Sequence, residues 1–231
     1  MVDRNNPSHA EAAIKSYLKN KLSSPIPQLG DIEHIRMYQF PKEPRKIRER
    51  IRGYQRKLRA EKTRWGVIHD GAGKRYLLGP LFLVLDDLDN AINCFRWFEA
   101  EFPDDCGEPG HHLCWALALH RCGDHEGAAR KLRQTMLMNI YLIPYLLGQK
   151  VERIEMWHGS SDAEPGYLEE IPFEFFSLWD ESARQWAAKL YHSEQFMAVL
   201  SRYIEIHRQL LNMLPCPRRT RLVTEASSLK K

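Results

Sequence analysis

Five arginines are spaced so that they would share one face of a helix, where they could follow the phosphates of a nucleic acid. Successive members are three, four, four and three residues apart, and residues three or four apart are neighbours on a helix surface. Each phosphate that such a side chain neutralises releases counterions. Tyr54 and Trp65 are close enough in the chain to stack on bases. The predicted ridge comprises Arg45, Arg48, Arg52, Arg56 and Arg59.

The same charges allow two other interpretations. Residues 42–64 carry a net charge of +8, residues 65–181 a net charge of −11, and residues 182–231 a net charge of +6. The basic helix could therefore dock on the acidic middle of its own chain, or on an acidic partner protein. A run of charges can also be a solvated face that binds nothing. The sequence leaves these alternatives open.

Cysteines and histidines cluster between Cys106 and His125, which raises the question of a zinc site. Zinc proteins usually supply their four donors from paired CxxC or HxxxH spacings, and neither spacing occurs in this stretch. We therefore expect no metal and no cofactor. If zinc were bound, its most plausible ligands would be Cys106, His111, Cys122 and His125.

The sequence carries no complete catalytic motif. The segment HDGAGKR (69–75) resembles a phosphate loop, but Ile68 and Arg75 stand where that motif needs Gly and Ser or Thr. In WHGSS (157–161) a histidine lies close to serines, yet no acid is evidently placed to orient it. We predict that the protein is not an enzyme, with a hydrolase centred on His158 as a remote alternative.

Composition favours a folded protein of a reducing compartment. Hydrophobic residues make up 43% of the 231 positions, and no apolar run approaches the roughly 20 residues of a membrane span. The start, MVDRNNPSHAEAA, lacks the apolar core of a signal peptide. Five cysteines, an odd number without framework spacing, are typical of a reducing environment. We predict a cytoplasmic protein without a membrane segment.

The elements that must position these residues are predicted to be helices, so the fold class is all-α. Ser8-x-x-Glu11 is typical of a capping box that opens an N-terminal helix, and SSPIPQLGD (23–31) ends it because two prolines and a glycine do not suit a helix interior. The basic helix is predicted over 44–63. Denser apolar helices follow over about 73–156, and further helices over about 167–178, 181–191 and 194–213.

These helices divide the chain into four segments. Residues 1–65 form an N-terminal helical pair that includes the basic helix, and residues 66–158 form a set of helical repeats. Residues 159–214 form a helical C-terminal cap. Residues 215–231 form a basic tail, which we expect to be loose at its end.

The repeats are indicated by the motif YLLG, which occurs at Tyr76–Gly79 and again at Tyr145–Gly148, 69 residues later. That distance is about two 34-residue units. In the first unit, positions 7, 8, 11, 20, 24 and 32 are Leu78, Gly79, Phe82, Ala91, Phe95 and Pro103. The small residues let paired helices approach, and the aromatic residues fill the space between them. This pattern resembles the tetratricopeptide repeat.

Two further units continue the resemblance in weaker form. The second unit matches at Trp115, Ala116, Leu119, Gly123, Ala128 and Leu132, and the third matches at Leu147, Gly148 and Val151 before its second helix departs from the pattern. The two YLLG copies are then the first and third units. Pro80 also departs from the pattern and implies a late start or a kink in the first helix.

The resemblance implies a non-catalytic adaptor or assembly subunit that holds a partner's peptide or helix on the concave face of a helical stack. The acidic middle of the chain favours a protein partner with a basic surface or a basic peptide. The alternative is a nucleic-acid-associated subunit of a nucleoprotein complex that uses the basic helix 44–63. The family's contact positions on the second and third units fall on His120, Arg121, Tyr145, Gln149, Glu152 and Arg153.

Overall fold

The computed structural model describes residues 40–230, and within them the chain forms ten α-helices and no strand. The prediction of an all-α fold is therefore confirmed for this part of the chain. The helix predicted to open at Ser8 lies outside the described residues. The α-helices are α1 (Pro44–Trp65), α2 (Lys74–Val84), α3 (Leu88–Glu101), α4 (Pro109–Arg121), α5 (His125–Met138), α6 (Leu142–Leu146), α7 (Phe173–Ser177), α8 (Glu181–Tyr191), α9 (Glu194–Leu210) and α10 (Pro217–Leu229).

Most of these helices begin where the sequence supplies a cap or a proline. The carboxylates of Asp87, Asp124 and Asp180 accept a backbone N–H in the first turns of α3, α5 and α8, and each satisfies a donor that the helix itself cannot. Prolines open α1, α4 and α10, where their missing N–H costs nothing. Gly66 ends α1 at a φ of 73°, in the left-handed region that glycine adopts without strain.

The segment predicted to contain repeats includes two helical hairpins, α2–α3 and α4–α5, each closed by a connection of only a few residues. The first helices of the hairpins, α2 and α4, pack against each other, and α1 packs on α2. The core between them is aromatic and apolar, with Phe95 stacked on Trp115 at 5.3 Å between ring centroids. The two hairpins thus form a compact layer that carries α1 on one side.

The predicted third unit does not form a long first helix. Its helix α6 covers only Leu142–Leu146, and Gly148 follows at a φ of 67°. The first YLLG lies inside α2, whereas the second ends a short helix. From residue 149 to 160 the chain has no helix, so Glu152 and Arg153 are not on a helix face.

The C-terminal segment is ordered further than the sequence predicted. Residues 165–169 form a 3₁₀ helix and Phe173–Ser177 form α7, in place of one helix over 167–178. The tail expected to be loose forms α10, which packs on α9. Leu222 and Ala226 of α10 are buried, and their spacing of four places them on one face.

Candidate nucleic-acid interface

All five ridge arginines lie exposed on α1. The helix is held to the rest of the molecule by a narrow apolar stripe whose members Ile47, Ile51 and Leu58 are buried. Because these three residues share the opposite side of the helix, the long cationic side chains project into solvent. The structure therefore brings the predicted ridge together as one continuous surface.

Little within the described residues neutralises this ridge. Arg45 Nε lies 3.0 Å from the Glu49 carboxylate, on the same helix face, and Arg52 Nε donates to the backbone carbonyl of Arg48 at 3.3 Å. Among residues 40–230, no acidic side chain forms an ion pair with Arg48, Arg52, Arg56 or Arg59.

The acidic middle of the chain contacts α1 elsewhere. Lys62 pairs with Glu101 of α3, and Glu61 accepts the backbone N–H of His69 and Asp70 at 3.1 and 2.9 Å. Both contacts involve the last turns of α1, away from most of the ridge. One ion pair to the acidic middle and two backbone hydrogen bonds to Glu61 thus fix the end of the helix and leave most of the ridge uncovered.

The two aromatic residues named with the ridge have different environments. Tyr54 packs against the hydrophobic core. Trp65 is 58% exposed at the end of α1, and the guanidinium of Arg64 lies 4.6 Å from its ring centroid. Of the two, Trp65 is the more exposed.

The face predicted to hold a partner peptide is occupied by the chain's own C-terminal segment. Helix α7 packs against both α2 and α4, the first helices of the two hairpins. Tyr145 is only 1% exposed and makes an edge contact with Phe176 of α7 at 5.1 Å between centroids. The apolar residues of 165–179 thus pack at the position where the sequence predicted an open concave face.

The other predicted contact residues are also engaged within the chain. His120 stacks on Trp186 of α8 with ring centroids 4.2 Å apart, and the Arg121 guanidinium donates to the Leu178 carbonyl at 2.6 Å. Three more contacts complete the set: Gln149 with His192 at 2.9 Å, Glu152 with Lys150 at 2.6 Å, and Arg153 with Glu164 at 3.1 Å. The predicted site is thus a set of intramolecular contacts.

The structure places the cysteines and histidines of the 106–125 region apart. His111 and His112 are buried in the hairpin core, whereas Cys106 and Cys122 are exposed at opposite ends of α4. Within residues 40–230 no three His, Cys, Asp or Glu side chains converge in a way that could hold a metal ion.

The phosphate-loop-like segment already contains an anion of its own. The Asp70 carboxylate is buried and accepts the backbone N–H of Arg75 at 2.7 Å and the Lys74 ammonium at 3.0 Å. An aspartate therefore occupies the N-terminus of α2, where a phosphate would bind in a nucleotide-binding loop. The segment joins α1 to the first hairpin.

His158 has a partner at each ring nitrogen. Its Nε2 lies 2.8 Å from the Tyr141 hydroxyl, and its Nδ1 lies 3.4 Å from the Glu164 carboxylate. An acid is therefore placed beside the ring, contrary to the sequence-based expectation. Burial lowers the pKa of this imidazole, although Glu164 opposes the effect. The His158 ring therefore links Tyr141 and Glu164, and neither partner is a serine.

A groove beside the ridge was not predicted from the sequence, because it is assembled from three helices. It has a volume of about 330 Å³ and lies between α1, α2 and α3. Two features of the sequence pointed to this groove. Phe82 was interpreted as part of the hairpin packing, and Asn90, Asn93 and Trp97 are spaced so that they share one face of α3. Its lining includes Gln55, Leu58, Arg59, Lys62, Ile68, Leu78, Phe82, Asn93, Cys94 and Trp97.

None of the helices in residues 40–230 has both the length and the apolarity needed to cross a membrane. Comparisons with known proteins found no match for the chain among family models, curated proteins or solved structures. The exposed arginine ridge on α1 is therefore the feature of the described residues from which a function is best inferred.

Proposed function

We propose that this protein is a non-catalytic, nucleic-acid-associated subunit that binds the phosphate backbone through the arginine ridge of α1. One observation carries the proposal: all five ridge arginines are exposed, and only Arg45 has an acidic partner among the described residues. A guanidinium without an intramolecular partner can bind a phosphate without first breaking an ion pair. The ridge brings four arginines without an acidic partner among the described residues onto one face of α1.

The dimensions of the ridge suit a polyanion. From Arg45 to Arg59 the helix rises about 21 Å at 1.5 Å per residue. Over such a length a nucleic acid strand presents several phosphates, and duplex DNA carries one charge per roughly 1.7 Å of its axis. The acidic middle of the chain repels the same polyanion, so the charge segregation also orients the ligand toward α1.

We further infer that the two hairpins are degenerate tetratricopeptide units that serve as the scaffold for α1. The support is local: Gly79 of α2 lies against the ring of Phe95 of α3, as the small and aromatic positions of such a unit require. Protein–protein adaptor function on the concave face stays a prediction. Helix α7 covers part of that face.

The test is the salt dependence of binding. We expect the full chain to bind a fluorescein-labelled single-stranded 20-mer with a slope of log K against log salt near −3.5, for about five phosphate contacts at −0.7 each. The triple variant Arg48→Gln, Arg52→Gln, Arg56→Gln should reduce the slope to about −1.4. At 0.1 M salt the same relation predicts a loss of about 100-fold in affinity.

The matched control removes three exposed arginines that lie off α1: Arg96→Gln, Arg208→Gln and Arg221→Gln. It changes the net charge equally, so it should keep the wild-type slope if the ridge is the binding surface. Equal losses in both triple variants would show a non-specific charge effect and overturn the proposal. Competition by poly-glutamate as effective as that by the oligonucleotide would point instead to an acidic protein partner.

A further inference from the structure

We propose that the groove between α1, α2 and α3 receives one unstacked base of a single-stranded nucleic acid whose phosphates follow the ridge. This inference rests on the proposed function and adds the class of ligand. A binding mode that reads a base out of the stack favours single strands over duplexes, because bases in a duplex are paired and stacked. The groove's volume of about 330 Å³ lies at the lower end of the range for small-molecule sites.

The walls of the groove suit a flat apolar ring. Phe82 of α2 and Trp97 of α3 are half-buried there, and Leu58 and Leu78 close the floor. The Trp97 ring is held edge-on against Phe102 with centroids 5.5 Å apart, which limits its freedom before any ligand binds. Fixed aromatic side chains are the stacking platforms that single-strand-binding proteins use.

The rim of the groove carries side-chain amides that can read a base edge. Gln55 and Asn93 line the groove, and neither amide has a hydrogen-bond partner among the described residues. Asn90, in contrast, donates to the Asp87 carboxylate at 3.1 and 2.9 Å. Asn and Gln pair with the N6 and N7 edge of adenine, so the two unengaged amides favour an adenine in the groove.

The groove and the ridge are continuous through Arg59. This residue is the last member of the ridge and also lines the groove, together with Gln55 four residues before it on α1. Lys62 stands at the same rim but pairs with Glu101. A strand that follows the ridge therefore reaches the groove at Arg59, where its phosphate can be neutralised while its base turns inward.

The test compares ligands that differ only in their bases. The full chain is titrated with fluorescein-labelled dA12, with rA12, with an abasic 12-mer of the same backbone, and with a 12-base-pair duplex. We expect dA12 or rA12 to bind at least 10-fold more tightly than the abasic strand and the duplex. Whichever of dA12 and rA12 binds more tightly identifies the source of the base.

Variants at exposed or half-buried groove positions locate the base. Asn93→Ala, on an exposed helix face, should remove much of the preference for dA12 over the abasic strand and leave the salt slope unchanged. Trp97→Leu should abolish the preference. Asn212→Ala, at an exposed position C-terminal to α9, is the matched control and should keep the preference.

The outcomes separate this inference from the function on which it rests. Equal affinity for dA12 and the abasic strand, with a steep salt slope, would overturn the base-binding groove and leave the ridge intact. A preference that survives both Asn93→Ala and Trp97→Leu would place the base elsewhere and also overturn the inference. Absence of binding to every strand at 50 mM salt would overturn the proposed function itself.

Discussion

A proline inside α2 explains which ring nitrogen of the buried His111 carries the proton. Pro80 has no N–H, so it cannot donate to the carbonyl of Tyr76 four residues earlier. His111 Nδ1 lies 2.9 Å from that carbonyl oxygen, and since a carbonyl only accepts, Nδ1 must carry the proton. Helix α2 thus continues through Pro80, and the late start expected at this position does not occur.

His111 and His112 are therefore neutral side chains of the core. They are 2% and 6% exposed, and His112 Nε2 donates to the Cys106 carbonyl at 2.9 Å. Burial lowers the pKa of His111 to about 4 despite the Tyr76 bond. Burial, with the nearby His111 and Lys131, lowers the pKa of His112 to about 3. Charging either imidazole inside the core is strongly unfavourable.

These pKa shifts predict that acid begins to destabilise the fold at a pH well above the range in which carboxylates usually titrate. A folded pKa below the unfolded value of about 6.5 means that only the unfolded state takes up protons as the pH falls below 6.5. Each histidine then lowers the free energy of unfolding by about 1.4 kcal/mol per pH unit, until its folded pKa is reached. From pH 7.5 to 5.0 the pair should cost about 4 kcal/mol, measured by urea unfolding.

The variant His112→Gln keeps a donor toward the Cys106 carbonyl and removes one of the two titrating groups. Between pH 7.5 and 5.0 its free energy of unfolding should decline by about 2 kcal/mol less than that of the wild type, which is half of the contribution of the pair. His69→Gln, which replaces an exposed histidine, is the control and should keep the wild-type acid profile. An unchanged decline in His112→Gln would contradict the assignment.

Among the elements, the first hairpin depends on the close approach of α2 and α3. A Cβ atom at Gly79 would lie 2.5 Å from Cε1 of Phe95, much closer than carbon atoms approach without repulsion. Phe95 is fully buried and stacked on Trp115, so it has little room to move. Glycine at position 79 therefore sets the separation of these two helices.

Two Gly→Ala substitutions in helices should accordingly have opposite effects. Gly79→Ala should lower the free energy of unfolding by about 1–3 kcal/mol, the usual cost of overpacking a core. Gly53→Ala on α1, where no atom lies within 4 Å of the new methyl group, should raise it by about 0.5–1 kcal/mol through better helix propensity. Chemical denaturation of the two variants would measure both signs. A neutral Gly79→Ala would contradict the close approach.

Helix α1 shows how a strongly basic element stays folded. Its surface repels itself electrostatically, but Ile47, Ile51 and Leu58 bury an apolar stripe, and burying a Leu or Ile side chain stabilises by roughly 1.5–3 kcal/mol. Lys62 and Arg64 lie in its last turn, where cations interact favourably with the helix dipole. The helix can therefore present its arginines without acidic partners.

At the scale of the whole molecule, the C-terminal helices pack on the two hairpins instead of leaving their face open. Arg184 of α8 donates to the carbonyls of Trp179 and Phe176 at 2.9 and 3.1 Å and also to the carbonyl of Leu146. The last two carbonyls belong to α7 and α6. One guanidinium thus joins three helices through carbonyl groups at or near helix ends, and the Phe176 carbonyl also accepts the backbone N–H of Trp179.

Loss of this junction should be costly. Arg184→Ala should lower the free energy of unfolding by about 2–3 kcal/mol, because three hydrogen bonds to a charged donor are lost. Arg208→Ala replaces an exposed arginine of α9 and should stay within about 0.5 kcal/mol of the wild type. Thermal unfolding of both variants measures the difference. Equal midpoints would contradict the role of Arg184 as a junction.

The sequence by itself determined several of the helices and the arginine ridge. The predicted helix over 181–191 matches α8, the basic helix over 44–63 matches α1 within two residues, and the five arginines share an exposed face as their spacing required. These features are local, since they depend on helical spacing and on caps within a few residues of each other.

Only the tertiary structure decided which surfaces remain open. The two YLLG copies have the same residues, yet the first lies inside α2 and the second ends α6. Only the first copy has a partner helix, α3, with which it forms a hairpin. The contact residues predicted on the concave face are covered by α7, and the groove at Trp97 arises from the packing of three consecutive helices. Burial depends on contacts between different helices, which periodicity along one helix does not encode.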